Sequence, residues 1–350
     1  MMMKRMACGV LVCCLAAAAV VLPRGEAIAA GVGSGGGPAA FEEITPASRR
    51  AVEKGLAYLA SIQQDDGSFG ETRYGAHVGI TSLACLAFMA DGHMPGRGPY
   101  GEVVSKGLDF VLDHATESGL IAANTSHGPM YGHGFATLFL GEVYGMTGDP
   151  RCREALLKAV RLIVRTQNPE GGWRYQPVPV DADISVTICQ VMALRAARNA
   201  GLSVPKTTID RAVSYVRRCQ NPGDGGFRYT LSGGGSLFPR SAAGVATLFY
   251  AGIYEDEAIE RGLEYVHDTG GDHSFAEGSH FFYGHYYASQ AMFLAGGEHW
   301  ARWFPSIRDM IVEAQNSNGS WRANHGNSYG TAMCLLAIQV PNRLLPIFQR

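Results

Sequence analysis

The chain has 350 residues and a mass of 37.4 kDa, and its 29 Lys+Arg nearly balance its 31 Asp+Glu, giving a formal net charge of -2. Nucleic-acid binders usually carry a basic excess that neutralises phosphates, so this charge argues against a nucleic-acid partner. Hydrophobic residues make up 47% of the chain and charged residues 17%, which excludes a disordered protein and predicts a globular fold with a large core. The 45 glycines lack a collagen period and are expected at regular breaks.

Residues 1–30 have the composition of an export signal. Lys4 and Arg5 provide the positive start, residues 7–22 are almost wholly apolar, and Ala27-Ile28-Ala29 offers a small-x-small cleavage site. The apolar run is shorter than the ~20 residues that a membrane span needs, and no later segment reaches that length. We therefore expect export to the periplasm or extracellular space and a mature chain that does not span the membrane. An uncleaved anchor is the alternative.

The segment that follows, residues 31–45, is rich in glycine near its start and is predicted to be a flexible linker. Five cysteines come after it: Cys85, Cys152, Cys189, Cys219 and Cys334. Their number is odd, and no Cys-x-x-Cys or His-x(3–5)-His spacing occurs, so neither a disulfide framework nor a zinc finger is indicated. The sequence indicates no cofactor.

Residues 46–350 contain six copies of one helical pattern. Each copy begins with an apolar i, i+4, i+7 triplet, the spacing that places three side chains on one face of a helix. The triplets begin at Val52, Val104, Leu156, Ile209, Ile259 and Ile307, at steps of 48 to 53 residues. This period predicts a single domain of six repeats, although the length alone suggests two domains.

Four of these helices end in the same turn, in which a glutamine is followed by a glycine and then by phenylalanine or tryptophan. The turns run from Gln63 to Phe69, Gln167 to Trp173, Gln220 to Phe227 and Gln315 to Trp321. Glycine ends a helix because it adopts the left-handed conformation readily. A second helix, apolar nearly all round and so expected to be buried, follows in each repeat. These inner helices are predicted at 78–89, 134–144, 184–197, 242–253, 286–295 and 329–338.

Two concentric rings satisfy both kinds of helix, with six amphipathic helices outside and six apolar helices in the middle. An open solenoid of helical hairpins has the same period and is the alternative. The C-terminal segment Leu344-Leu345-Pro346-Ile347-Phe348 is apolar, whereas an open solenoid usually ends in a polar cap. The sequence therefore favours a closed ring.

The turns resemble the QW repeats of squalene cyclases and of the protein prenyltransferase β-subunit. The resemblance includes a Lys/Arg-Gly/Ala pair in the outer helices, as at Lys54-Gly55 and Lys158-Ala159, and covers essentially the whole mature chain. It implies an all-α fold, an α/α toroid of six helical hairpins with a cavity on its axis. It also implies a small apolar or lipid-like ligand, such as an isoprenoid.

Each inner helix begins after a turn, so the six N-termini are expected to meet at one mouth of the barrel. Tyrosine and histidine recur there and supply polar, titratable and aromatic surface. An arginine at the mouth could serve an anion, which helix N-termini already favour. The alternative is that these side chains only cap or space the helix starts. The candidate ligand-binding residues are Tyr74, His77, Tyr131, Tyr283, Tyr329 and Arg240.

Four residues are candidates for catalysis, namely Asp181, Asp183, His133 and His285. Residues 181–185 resemble the D-x-D-D-[ST] segment with which squalene–hopene cyclases protonate a double bond, and the resemblance implies that Asp183 is the acid. Ile184 departs from that pattern. Alternatively, Asp183 is an N-cap, whose hydrogen bonds would lower the pKa of its carboxyl group. The two histidines are candidates for acid/base work, and a closed ring would bring them, Asp183 and His77 around one cavity.

Protein prenylation is not expected, because it needs a zinc held by Asp, Cys and His, and no Asp-x-Cys stands at an inner-helix start. A metal held only by His77, His133 and His285 is a further alternative. Two rival functions remain open. One is a polysaccharide lyase or hydrolase, for which no convincing carboxylate pair is evident. The other is a non-catalytic scaffold for a protein partner, whose identity the sequence leaves unknown.

Overall fold

The computed structural model describes residues 42–123, 128–270, 275–276 and 278–349. Within these ranges the chain forms one compact unit of twelve α-helices and no β-strand. The expected signal and most of the expected linker lie outside the described residues. None of the described helices is both long and apolar enough to cross a membrane.

Outer and inner helices alternate along the chain. The outer helices are α1 (Pro46–Ile62), α3 (Gly101–Asp113), α5 (Pro150–Thr166), α7 (Lys206–Cys219), α9 (Glu257–Gly270) and α11 (Gly297–Glu313). The inner helices are α2 (Val78–Ala90), α4 (Met130–Thr147), α6 (Ile184–Asn199), α8 (Phe238–Tyr250), α10 (Ser279–Ala295) and α12 (Asn327–Ile338). An outer helix such as α5 buries one face, whereas every residue of α2 is buried. The apolar pattern of each helix therefore predicts its ring.

The inner helices form a closed ring. Each packs against the next one along the chain, and α12 packs against α2 as well as against α10. The first outer helix, α1, lies against α11 and α12. The fold is therefore the predicted α/α toroid, and the open solenoid is wrong.

The glutamine of each turn joins neighbouring repeats. The side-chain amide of Gln63 donates one hydrogen bond to the carbonyl of its own turn glycine and another to a carbonyl of α3, at 3.0 and 2.9 Å. Gln167 and Gln220 make equivalent pairs of bonds to α7 and α9. Gln315 completes the ring, because it donates to the carbonyl of Ala51 in α1 at 2.8 Å. The turn motif thus sets how each repeat docks on the next.

The Lys/Arg-Gly/Ala pair is the surface on which the turn of the preceding repeat rests. Gly319 has a φ of +90°, and a Cβ there would lie 2.3 Å from the carbonyl oxygen of Lys54. A Cβ at the next residue, Gly55, would lie 3.0 Å from the ring of Trp321. Close packing between the last and first repeats therefore requires both glycines.

Three inner helices begin four or more residues earlier than the sequence pattern predicts. They begin at Met130, Phe238 and Ser279. The Tyr-Gly-His segments at 131–133 and 283–285 therefore belong to the first turns of helices. Their glycines serve close packing between helices, since a Cβ at Gly284 would lie 2.6 Å from the ring of Phe238.

The apolar C-terminal segment packs where the inner helices end. The Asn342 amide donates to the carbonyl of Ala90 at the end of α2, at 2.9 Å, and the Ile347 N–H donates to the carboxyl group of Glu142 on α4, at 3.2 Å. Burial raises the pKa of Glu142 to about 8, although the Ile347 N–H opposes the shift. This segment covers the end of the barrel opposite to the helix N-termini.

Candidate functional site

A cavity of about 890 Å³ lies where the inner helices begin. Each inner helix contributes one wall residue from an equivalent position in its first turns. These residues are Gly79, Tyr131, Ser185, Pro239, Tyr283 and Tyr329. The six helix N-termini therefore surround a single cavity.

The wall becomes apolar one helical turn deeper. The residues four positions further along α2, α4 and α12 are Leu83, Phe135 and Met333. On the other side of the barrel, the Tyr283 hydroxyl donates to the carbonyl of Ser185 at 3.0 Å and ties α10 to α6 across the lumen. The cavity thus combines a polar rim with an apolar interior, which is typical of pockets for ligands with a polar end and an apolar body.

Two long loops between a turn and its inner helix form one side of the mouth. Loop 174–183 contributes Arg174 and Tyr175 to the cavity wall, and loop 228–237 contributes Tyr229. The two tyrosine hydroxyls are hydrogen-bonded to each other. Neither tyrosine is among the residues predicted from the sequence, although each follows the aromatic residue of its turn by two positions, a recurrence that identifies both.

Asp183 lies behind this wall and is absent from the described lining. Its carboxyl group is fully buried, accepts the Val186 N–H at 2.8 Å as the N-cap of α6, and accepts the Tyr229 hydroxyl at 3.1 Å. Burial raises the pKa of Asp183 to about 6 and outweighs these hydrogen bonds and the nearby Arg174, which lower it. The expected N-cap is present, but the lowered pKa expected with it is wrong, because desolvation dominates.

Asp181 also lies away from the cavity. Its carboxylate is half exposed and pairs with the guanidinium of Arg174 at 2.7 Å, while the Nε of Arg174 is 3.6 Å from Asp183. Arg174 also packs over the ring of Tyr175. Two carboxylates therefore balance the charge of Arg174, and Asp181 helps to hold that side chain in the wall.

The expectation that His133 faces the cavity is wrong. His133 is wholly buried, and its Nδ1 accepts the N–H of Ile121 in the turn of its own repeat, at 3.2 Å. Burial lowers the pKa of His133 to about 4, so the ring is neutral. In four other repeats the equivalent backbone N–H of the turn donates to a side-chain hydroxyl group of the inner helix. These hydroxyl groups belong to Thr81, Thr187, Ser241 and Thr331. This register of the inner helix points outward, and His133 is a structural acceptor.

His285 is buried outside the cavity wall as well, so its expected place at the mouth is also wrong. Its Nδ1 lies 2.8 Å from the carbonyl oxygen of Phe281. Its ring is stacked with that of Trp303 in the outer helix α11, with 6.0 Å between the ring centres. A metal site shared with His77 and His133 is therefore not formed. No group of three or more His, Cys, Asp or Glu side chains in the described ranges could hold a metal ion.

All six candidate ligand-binding residues line the cavity; they are Tyr74, His77, Tyr131, Tyr283, Tyr329 and Arg240. His77 also caps α2, since its Nδ1 accepts the Gly79 N–H at 3.1 Å. Burial lowers the pKa of His77 to about 4, so the neutral ring carries its proton on Nε2. His325, on the same side, stacks on Tyr74 at 5.1 Å. The first and last repeats thus form a neutral, aromatic side of the mouth.

Arg240 lies on the opposite side, in the first turn of α8. Its guanidinium carbon is 5.8 Å from the centre of the Tyr229 ring. Partial burial lowers the pKa of Arg240, and no carboxylate is among the groups that oppose this shift. Across the part of the chain that the structure describes, no hydrogen bond or ion pair engages its guanidinium.

The fold and the cavity together define an α/α toroid with a ligand site on its axis. A sequence model of the prenyltransferase α/α-toroid domain matches residues 11–100, 41–147 and 105–266, which together make up more than half of the chain. The chain therefore belongs to the prenyltransferase α/α-toroid domain family.

Individual relatives are more distant. A drimenyl diphosphate synthase of Streptomyces showdoensis is 28% identical over 181 residues, which cover 51% of this chain and 32% of that protein. The match thus spans about a third of the length of that relative.

Three solved structures have the same fold. The type II terpene cyclase MstE from Scytonema, in complex with its substrate geranylgeranyl dihydroxybenzoate, has a TM-score of 0.58 at 13% identity and covers 85% of this chain and 98% of its own. The α-1,6-mannanase GH76A of Salegentibacter sp. HEL1_6 has a TM-score of 0.64 at 8% identity, covering 85% and 99%. A cellobiose 2-epimerase from Bacillus thermoamylovorans has a TM-score of 0.64 at 12% identity, covering 83% and 97%. At these identities the likeness is one of fold.

Proposed function

We propose that this protein is exported and binds an apolar, isoprenoid-type ligand in its central cavity. The observation that carries the proposal is the apolar interior formed by Leu83, Phe135 and Met333 beneath the tyrosine rim. Its volume lies in the range of pockets for small organic ligands, roughly 300–1,000 Å³. MstE shares this fold, and its isoprenoid substrate supports the proposed ligand class.

The ligand class is tested by mass spectrometry of the small molecules that co-purify with the protein. Isoprenoid lipid is the expected result, whereas oligosaccharide or a bound polypeptide would contradict the proposal and favour one of its rivals. N-terminal sequencing of the same preparation tests export, for which a start near Ala30 is expected.

A pair of matched variants tests the site itself. Met333→Gln places an amide in the apolar wall and should weaken the binding of geranylgeraniol at least tenfold, because that amide loses its water when the ligand enters. Met192→Gln is the control, since Met192 is also fully buried but lies outside the cavity wall. It should destabilise the fold to a similar degree and leave the affinity unchanged. Equal affinities for the two variants would contradict the proposed site.

A reaction at this site would take its proton from Asp183, whose raised pKa suits an acid better than that of an ordinary carboxyl group. The Tyr229 hydroxyl lies between Asp183 and the cavity, so the proton moves in a relay. When Asp183 is protonated, the hydrogen bond between the two groups runs from the carboxylic acid to the Tyr229 oxygen. Tyr229 then gives its hydroxyl proton to an alkene carbon while its oxygen takes the proton of Asp183. The products are a carbocation and an Asp183 carboxylate, whose charge Arg174 at 3.6 Å offsets.

The pH dependence of turnover tests this assignment. Only protonated Asp183 can act, so the rate of geranylgeraniol conversion should be constant well below pH 6 and fall about tenfold per pH unit above it. Asp183→Asn keeps a side-chain oxygen for the N-cap and should abolish turnover, whereas Asp181→Asn should retain it. Turnover in the Asp183 variant would assign the acid elsewhere.

A carbohydrate-active enzyme is the second candidate, because the mannanase and the epimerase share the fold and the rim is rich in tyrosine and histidine. Most glycosidases act through two carboxyl groups, yet none of the described lining residues is Asp or Glu. Adding α-1,6-mannotriose and cellobiose to the same binding assay compares the two classes directly.

A further inference from the structure

We propose that Arg240, together with the backbone at Gly233–Gly234, forms a subsite for an oxyanion on the polar end of the ligand. The inference names the head group of the proposed ligand and rests on the proposed function for the apolar tail. The anion site itself depends only on the charge and geometry of this side of the mouth.

No described carboxylate offsets the charge of Arg240. A cation that is partly removed from water is usually paired, because desolvating a charge without a partner is costly. Arg174 in the same wall follows this rule and has two carboxylates within 4 Å. Arg240 packs against the face of the Tyr229 ring, and its guanidinium makes no hydrogen bond or ion pair with a described residue. Its N–H groups are therefore available to a ligand that enters the cavity.

The neighbouring loop also favours this subsite by its shape. Gly233 and Gly234 line the cavity, and Gly234 has a φ of +87°, a conformation that favours glycine. A Cβ at Gly234 would lie 3.0 Å from the Nη1 of Arg240. The absence of side chains here lets the loop approach the guanidinium and leaves room beside it for a small group.

The start of α8 adds to the positive potential around Arg240. Its N-cap, Leu237, has no side chain that could accept a backbone N–H, and its first turn contains no acidic residue, so neither offsets the positive end of the helix dipole. Arg240 lies in that first turn. Arg174 is the other arginine of the described lining, which contains no lysine, and two carboxylates already balance its charge.

These features orient the ligand. Its head would lie against Arg240, and its tail would extend over Leu83, Phe135 and Met333 in the interior. The planar fork of a guanidinium matches a carboxylate or a phosphate, each of which can accept two parallel hydrogen bonds. A single arginine suits a head with one acidic group, and both chemistries share that feature.

Calorimetric titration of the full chain tests the inference with geranylgeraniol, geranylgeranoic acid, geranylgeranyl phosphate and inorganic phosphate. We expect at least one of the two acidic compounds to bind at least tenfold more tightly than the alcohol, and the better one identifies carboxylate or phosphate as the head. Arg240→Gln should remove this preference, because the acidic compounds should lose at least tenfold more affinity than the alcohol does. Arg240→Lys, which keeps the charge but loses the fork, should retain part of it.

Arg73→Gln is the matched control. Arg73 also packs over a tyrosine, Tyr74 at 4.9 Å, but it is exposed and outside the described cavity wall. This variant removes the same charge and should keep the preference for the acids. An equal loss in both variants would reduce the effect to net charge and overturn the inference.

The outcomes separate the two proposals. If the alcohol binds and neither acid binds more tightly, the anion subsite is wrong and the proposed function stands. If no isoprenoid compound binds but inorganic phosphate binds to the wild type and not to Arg240→Gln, the subsite stands and the proposed function is wrong. If none of the four compounds binds, both are wrong.

Discussion

The glutamine that follows the last outer helix provides a direct test of ring closure. Its side-chain amide donates to the carbonyl of Gly319 at 2.9 Å in its own turn and to the carbonyl of Ala51 at 2.8 Å in α1. Gln315→Ala removes both donors from the contact between the last and first repeats. Ala51 is only 3% exposed, so water cannot readily replace the lost donor there.

The structure sets the expected magnitude. Each lost hydrogen bond costs about 0.5–1.5 kcal/mol, and the Gln315 side chain donates two of them. Gln315→Ala should therefore lower the free energy of unfolding by about 1–3 kcal/mol. Gln167→Ala breaks the equivalent bridge between consecutive repeats at a more buried position and should cost at least as much. Gln64→Ala alters an exposed glutamine one residue beyond the bridge at Gln63 and should stay within about 0.5 kcal/mol of the wild type.

Denaturant unfolding followed by far-UV circular dichroism measures all three variants. A lower midpoint at an unchanged slope is expected for Gln315→Ala and Gln167→Ala. If Gln315→Ala were as stable as Gln64→Ala while Gln167→Ala were destabilised, the bridges between consecutive repeats would matter and the closing bridge would not. That result would refute the closed ring in solution.

Trp173→Ala and Trp321→Ala should each lower the free energy of unfolding by about 3–5 kcal/mol in the same assay, because both indoles are buried and donate their N–H to an outer-helix carbonyl; unchanged midpoints would contradict this packing. Glu142→Gln should stabilise the protein relative to wild type by an amount that grows from pH 5 to pH 8. The reason is that folding raises the pKa of Glu142 from 4.5 to about 8. The stability that the protonated Glu142 contributes to the wild type is therefore fully present below pH 4.5 and is lost as the pH rises through 8. If the stability of the two proteins changed in parallel with pH, the raised pKa would be excluded. His133→Gln combined with His285→Gln should lower the unfolding free energy by about 1–3 kcal/mol and leave the calorimetric affinity for geranylgeraniol unchanged, whereas a stable variant that no longer binds would restore both histidines to the site.

The periodic features of the sequence were sufficient to predict the fold. Apolar triplets at steps of 48 to 53 residues distinguish the outer helices, and runs without a polar face distinguish the inner ones. Both signals are local, because helical periodicity depends only on which side of a helix is buried. The helix starts were predicted less well. The predicted helices at 134–144 and 286–295 begin after Gly132 and Gly284, whereas packing between helices keeps both glycines inside α4 and α10.

The repeat also placed three of the candidate ligand-binding residues, since the position shared by Tyr131, Tyr283 and Tyr329 transfers from helix to helix. The same comparison could have excluded His133 from the cavity. Threonine or serine occupies its register in other repeats, and a shared hydrogen bond to the turn explains both residue types. An outward register and an inward register differ by only two residues, so their distinction requires the direction of each side chain about the helix axis.

The charge states of the site were decided by the tertiary structure alone. Arg174 and Arg240 are both arginines of the cavity wall, yet among the described residues only Arg174 lies within 4 Å of carboxylates. Asp183 has the position of an ordinary N-cap, yet burial raises its pKa, although the hydrogen bond from Tyr229 of the next repeat opposes the shift. A sequence determines which groups can ionise and which helix face they occupy. Desolvation and the nearest opposite charge depend on residues that only the closed ring brings together, and these two quantities determine the chemistry available at the mouth.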